Sequence, residues 1–262
     1  MELEKQYKIM KDWYWRGDIK FNMKNYTIRR ETVIMTPKHL KPQITFRNRR
    51  VHNIQGFDFF IKFAKSKGAN IIQFYYSMAE YKKGLPYTNS KNIQEIKEKW
   101  KEEHHKHMTK YDCLIDIDAP NHDYFNIAKE TTINVIKELQ KQKIPCYVRY
   151  SGMGFHIIIK YEDFPKSKEH SFDPYAEKNI YQEMIKFNKK LYDKISELID
   201  YNLNDSRRIA KIPYSLAFYK NNTFVCLPIL TMKELKESDL DYFKYDNWKD
   251  KTLFNRGETP IK

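Results

Sequence analysis

The 262-residue chain is poor in glycine, with seven, and in cysteine, with three. Cys113, Cys146 and Cys226 lie far apart and form no Cys-x-x-Cys pair, so no zinc or iron-sulfur motif can be read. Cys113 and Cys146 fall inside apolar strand patterns, where a reduced thiol behaves as a small hydrophobe; an intracellular, cytoplasmic setting is expected. No stretch approaches the roughly 18 apolar residues of a membrane span, and the first residues lack the apolar run of a signal peptide. A soluble protein with no membrane partner follows. Negative charge is also short: 34 Asp and Glu face 48 Lys and Arg, a formal net charge of +14. A surface adapted to heat would carry Glu in near-equal number, so the imbalance favours a polyanionic partner such as nucleic acid. Aromatic residues, 15% of the chain, add stacking surface for bases as well as ordinary core.

Against that background one stretch organises the chain: Asp112-Cys113-Leu114-Ile115-Asp116-Ile117-Asp118-Ala119-Pro120. Side chains alternate across a strand, so Asp116 and Asp118 share one face while Cys113, Ile115 and Ile117 take the other. The two acids are rooted about 7 Å apart, within reach of one shared ion. A hard divalent cation, magnesium or manganese, suits such a pair and completes its shell with phosphate oxygens. The plain alternative is a strand end that runs into solvent and caps the next helix.

Residues 1 to about 50 are aromatic and basic without a clean period. There Arg47, Arg49 and Arg50 read either as phosphate contacts or as ordinary exposed surface. Phe59, Phe60, Phe63 and Ala64 have helical spacing, with Gly68 as a stop, and Asn70 to Met78 reads as a strand. Asn89 to Lys110 reads as a charged helix whose His104 and His107, flanked by lysines, belong to a solvated face rather than a metal site. From residue 113 to 230 the predicted order is strand, helix, strand, strand, helix, strand, with the last strand at Phe224 to Leu230. That is an α+β chain carrying the ferredoxin-like, RRM-like βαββαβ arrangement. The expected organisation is an N-terminal α/β lobe over 1–110 packed against an RRM-like module over 111–262, as one continuous domain.

Two of the scarce glycines, Gly152 and Gly154, share the turn between Ser151 and His156. Such a turn can cradle a phosphate on its amides, with Ser151 and His156 as further donors, or it can be a plain hairpin turn over a core histidine. Asp200 to Leu216 places acid before base: Asp200 can complete a three-carboxylate cluster, in competition with Asp205, while Arg207, Arg208 and Lys211 can neutralise a triphosphate.

Together these stretches resemble the archaeo-eukaryotic primase superfamily, which includes primase small subunits, primase-polymerases and the polymerase domains of bacterial end-joining ligases. The likeness covers about residues 111 to 230 and rests on order and spacing: Asp116-x-Asp118, Ser151 to His156, then Asp200 leading through Lys211 to Pro213-Tyr214-Ser215. The resemblance implies that Asp116, Asp118 and Asp200 hold two divalent metals, Mg2+ or Mn2+, and that Ser151, Gly152, Gly154 and His156 grip the phosphates of a nucleoside triphosphate. Arg208 or Lys211 adds positive charge. It selects Asp200 over Asp205 by the distance to the Pro-x-Ser segment. It also implies a template and primer as partners, with a primase large-subunit-like protein as a further one. Two departures stand out: the zinc-binding insertion of replicative small subunits is absent, and the His that commonly follows Pro-x-Ser-x is Ala217. A nucleotide-sugar glycosyltransferase also uses a strand-borne Asp-x-Asp, but leaves Asp200, the glycine turn and the basic balance unexplained. A non-catalytic nucleic-acid-binding subunit would have no need of all three acids and His156.

Overall fold

The computed structural model describes residues 2–48, 56–82, 107–165, 177–195, 198–200, 208–254 and 256–261. The aperiodic N-terminal stretch folds as two helices, α1 (Glu2–Trp15) and α2 (Gly17–Asn25), followed by strands β1 (Thr32–Met35) and β2 (Thr45–Asn48). Their pattern is hard to read because the buried side chains include Trp13 and Tyr14, whose polar ends serve a distant segment. The Trp13 indole donates to the Tyr214 carbonyl at 2.7 Å, and the Tyr14 hydroxyl accepts from the Leu216 amide at 2.8 Å. The helix read from phenylalanine spacing is α3 (Gly56–Ser66), and the strand after it is β3 (Gln73–Ser77). Next come β4 (Ala79–Tyr81) and β5 (Met108–Tyr111), which pair with each other. The helix expected over residues 89–110 is therefore corrected at its end, where Met108–Tyr111 is strand, while His104 lies outside the described residues.

The acidic stretch forms β6 (Cys113–Ile117), followed by α4 (Phe125–Lys141), β7 (Tyr147–Tyr150), β8 (Phe155–Ile159), α5 (Glu177–Ile195) and β9 (Ile199–Asp200). In space the antiparallel order is β7-β8-β6-β9, with β8 between the two strands that α4 connects, the split βαβ arrangement of a ferredoxin-like sheet. One assignment changes. The fourth strand of that motif is the two-residue β9, not residues 224–230, which instead divide into β12 (Asn222–Val225) and β13 (Pro228–Ile229). β13 adds a fifth strand beside β7, and β12 forms a hairpin with β11 (Leu216–Tyr219). A two-residue strand carries too little periodicity to be seen in sequence; it exists because β6 offers a free edge to it.

Helix α5 is pinned to the sheet by Asn188, fully buried, whose amide donates to the Leu114 carbonyl at 3.0 Å. The helices cover the face bearing Cys113, Ile115 and Ile117, as alternation predicts, and leave the Asp116 face for the second sheet. That sheet runs β10-β3-β1-β2, where β10 is Ile209–Lys211, so a strand from late in the chain completes the N-terminal lobe. Hydrogen-bonded ladders thus cross residue 110, and so does a buried ion pair: the Arg30 guanidinium donates to Asp112 at 2.7 Å and to Glu80 at 2.8 Å.

The last helix, α6 (Met232–Glu237), starts where the Thr231-x-x-Glu234 pattern places it, with the Thr231 hydroxyl accepting from the Glu234 amide at 3.0 Å. Thr231→Ala should cost about 1 kcal/mol, measured by chemical denaturation, and a neutral result would remove this cap from the account.

Candidate active site

Strand register builds the site. Directly opposed residues of neighbouring strands share a face. Asp200 pairs with Asp116, Asp116 with His156, His156 with Arg149 and Arg149 with Pro228, so one row across five strands carries two acids, an imidazole and a guanidinium. Asp118 comes two residues later, just past the end of β6, exposed but near enough to feel the Asp116 charge. The second sheet faces this row with the basic groups of β10 and the residue before it, Arg208 and Lys211.

Arg208 joins the two sheets chemically. Its Nη2 lies 3.0 Å from Asp116 Oδ2 and 2.7 Å from Asp200 Oδ2, so acids 84 positions apart in the chain meet on one guanidinium. Burial opposes that charge, but the two carboxylates outweigh it and hold the Arg208 pKa above its ordinary value. Asp116 is 8% exposed, and its carboxyl is pushed up to about 6, first by burial and then by the nearby Asp200 charge, against the pull of Arg208. Crowding by protein around Asp118, and the Asp116 charge beside it, raise that carboxyl too, although its side chain keeps access to solvent.

His156 approaches Asp116 Oδ1 at 3.4 Å without hydrogen-bond geometry. Burial and the Arg149 guanidinium push its pKa down, so the imidazole is neutral and the contact is not an ion pair. Lys211 is likewise lowered by burial, with Asp118 and Asp116 acting in the opposite direction.

The glycine turn joins β7 to β8 two residues along the strands from Arg149 and His156. Ser151 and Gly154 bond twice, the Ser151 amide to the Gly154 carbonyl at 2.9 Å and the Gly154 amide to the Ser151 hydroxyl at 3.2 Å. Accepting that bond leaves the hydroxyl proton free to donate elsewhere. It also removes the Gly154 amide from the phosphate donors, leaving those of Gly152 and Met153 without an acceptor among the described residues. Glycine is required at both positions. Gly152 has φ +103°, and a Cβ there would lie 2.3 Å from Ala217 Cβ and 3.0 Å from Lys211 Nζ; one on Gly154 would lie 1.9 Å from the Ile117 carbonyl oxygen. The turn thus touches both the acidic strand and the basic one.

The remaining candidates lie elsewhere. Arg47 stands in the cross-sheet row Lys211, Tyr75, Val33, Arg47, three strands and about 14 Å from Lys211, and is paired at 3.0 Å with buried Glu31. Arg49, Arg50, Asp205 and Arg207 lie outside the described residues. Sequence reasoning missed Arg149 and His122. Arg149 is fully buried, donating to the Tyr76 hydroxyl at 2.7 Å and to the Lys211 carbonyl at 3.2 Å, with Glu258 at 3.4 Å. The length of the 151–154 turn was the available signal, since it alone places Arg149 opposite His156.

A hard cation fits part of this set. Its preferred donors are carboxylate oxygens, and Asp116 Oδ1 is a buried acceptor without a hydrogen-bond donor among the described residues. Burial first, and the neighbouring carboxylates after it, raise the Asp116 and Asp118 carboxyls, a penalty that a bound cation would relieve. Asp200 and the second Asp116 oxygen are shared with Arg208, and among the described residues no group of three or more His, Cys, Asp or Glu side chains is arranged to hold a metal ion.

The two sheets and their connections form an α+β fold. Among solved structures, the chain is similar to the polymerase domain from Mycobacterium tuberculosis Ligase D in complex with DNA, with a TM-score of 0.55 and 11% identity over 95% of this chain and 88% of that one. At that identity the likeness is one of fold. No family model matches the sequence, and no curated protein does. Among the described residues, no helix is long and apolar enough to cross a membrane.

Proposed function

We propose that this chain is a template-directed nucleotidyltransferase of primase small-subunit type, which adds nucleotides to a nucleic-acid 3′-hydroxyl. The observation that carries the reading is the convergence of Asp116, Asp200 and His156 in one cross-sheet row against Arg208 and Lys211. The fold shared with a polymerase domain solved with DNA supports it, as does the +14 charge.

In this reading Asp116, Asp118 and Asp200 hold two magnesium or manganese ions. Such ions, when bound, supply charge neutralisation on the triphosphate and a lowered pKa at the attacking hydroxyl. The chain's own groups position the nucleotide. The Gly152 and Met153 amides and the Ser151 hydroxyl donate to phosphate oxygens, neutral His156 donates a ring N–H, and Lys211 and Arg208 offset the charge that builds as pyrophosphate leaves. For Arg208 this requires its guanidinium to turn from the two acids to the phosphates. Template and primer are held through their phosphates, with Arg47 as one candidate contact, and a primase large-subunit-like protein is a candidate partner.

Incubation with a labelled nucleotide, a primer-template and magnesium or manganese tests the proposal: the primer should lengthen, and chelation of the metal should stop it. Sugar transfer or mere binding would leave the primer unchanged. DNA affinity should fall by about a hundredfold or more between roughly 50 and 200 mM salt if several phosphates are neutralised, and a flat response would contradict a phosphate-tracking surface.

A further inference from the structure

His122 lies four residues beyond Asp118, in a short helical turn started by Asn121, whose side chain accepts from the Asp123 amide at 2.8 Å. Its imidazole leaves that turn and packs against the β11–β12 hairpin, 4.3 Å from the Tyr219 ring and 4.7 Å from the Phe224 ring. Its Nε2 lies 2.9 Å from the Gly152 carbonyl oxygen, a contact that makes this nitrogen the protonated one. The Tyr150 hydroxyl donates to the same oxygen at 2.8 Å. Tyr150 is itself immobilised, its ring stacked on Phe243 at 4.2 Å.

Two donors on one carbonyl fill both of its lone pairs and set the tilt of the Gly152–Met153 peptide. A trans peptide is planar, so the Met153 N–H then points away from His122 and Tyr150. Gly152, at φ +103°, has no side chain to hold that tilt. The clamp supplies from outside the rigidity that glycine lacks.

We infer that His122 is a positioning residue for the glycine turn: together with Tyr150 it holds the Gly152 carbonyl back and thereby presents the Met153 amide to phosphate oxygens. The inference rests on the nucleotidyl-transfer reading for the identity of the ligand. It also gives the stretch after the acidic strand a role, because one segment then carries Asp116 and Asp118 and braces the turn that faces them.

Binding of inorganic tripolyphosphate in the presence of magnesium tests it, measured by calorimetry on the full chain. His122→Phe keeps a ring against Tyr219 and Phe224 but loses the donor, and should bind about tenfold more weakly. Its melting temperature should stay within roughly 3 °C of the parent. His122→Gln restores an N–H near the same place and should recover most of the loss, a rescue that a purely structural role would not produce. Tyr150→Phe removes the other donor without altering packing and should weaken binding by a similar factor, which keeps the test open if the His122 variants fold poorly. Parent-like affinity in His122→Phe or Tyr150→Phe, a Gln variant no better than Phe, or a parent chain that ignores tripolyphosphate would overturn the inference. Primer extension run in parallel separates the two claims: tripolyphosphate binding with this variant pattern but no extension by the parent would sink the polymerase reading and leave the clamp standing.

Discussion

Asp116→Asn should lower primer extension by about three orders of magnitude while leaving DNA binding within a few fold. The asparagine is nearly the same shape, so the loss isolates the charge. Asp116 is central to the row: it neighbours His156 on one strand and Asp200 on the other, and it shares Arg208 with Asp200. The same substitution should raise the melting temperature near pH 7 in chelator. Burial raises the Asp116 pKa to about 6, so the folded chain favours the protonated acid. The stability tied to that proton is complete below the ordinary carboxylate range and is lost as pH rises through about 6. Asparagine cannot ionise and avoids the loss. Melting curves between pH 4 and pH 8 should therefore converge for the two proteins at the acid end and separate at the neutral end, with the variant higher. Full extension activity in Asp116→Asn would refute the assignment, and a lower melting temperature at neutral pH would show that the Arg208 contact outweighs burial. A residue that is necessary for chemistry and costly for folding is the usual signature of a functional acid.

Gly154→Ala should destabilise the chain by about 3 kcal/mol or more, a fall of roughly 6–12 °C in melting temperature for a protein of this length. The added methyl would fall 1.9 Å from the Ile117 carbonyl oxygen and 3.0 Å from its carbon, and both atoms are strand backbone between the two acids. A flexible side chain could swing aside; a central β-strand cannot. Any relief must move the β6 end or the turn, so residual folded protein should also lose triphosphate affinity. Gly17→Ala is the control, because a methyl there meets nothing within 4 Å, and it should be neutral to within about 1 kcal/mol. Equal melting temperatures for Gly154→Ala and the parent would mean that turn and strand do not approach so closely.

The placement of the acids was legible because alternation is a local property: Asp116 and Asp118 share a face whatever the rest of the chain does, and Cys113, Ile115 and Ile117 take the helix-covered side. The glycine turn was legible for a similar reason, since two glycines in four residues, in a chain with only seven, mark backbone that something must approach. The N-terminal helices were not, because Trp13 and Tyr14 are buried by contacts with Tyr214 and Leu216, about 200 positions away. Nor was the fourth strand, whose two residues pair only because β6 is already in place.

Local periodicity and turn chemistry, then, determined the βαββα part of the order, the carboxylate pair and the glycine turn from the sequence alone. Only the tertiary structure decided that the basic residues arrive on a different sheet from the acids. β10 joins β3 of the N-terminal lobe, and that pairing carries Lys211, with Arg208 just ahead of it, to the acids of the other sheet. The physical reason is that strand pairing between distant segments is set by which edges remain free once the local elements have formed, and no window of sequence contains that information.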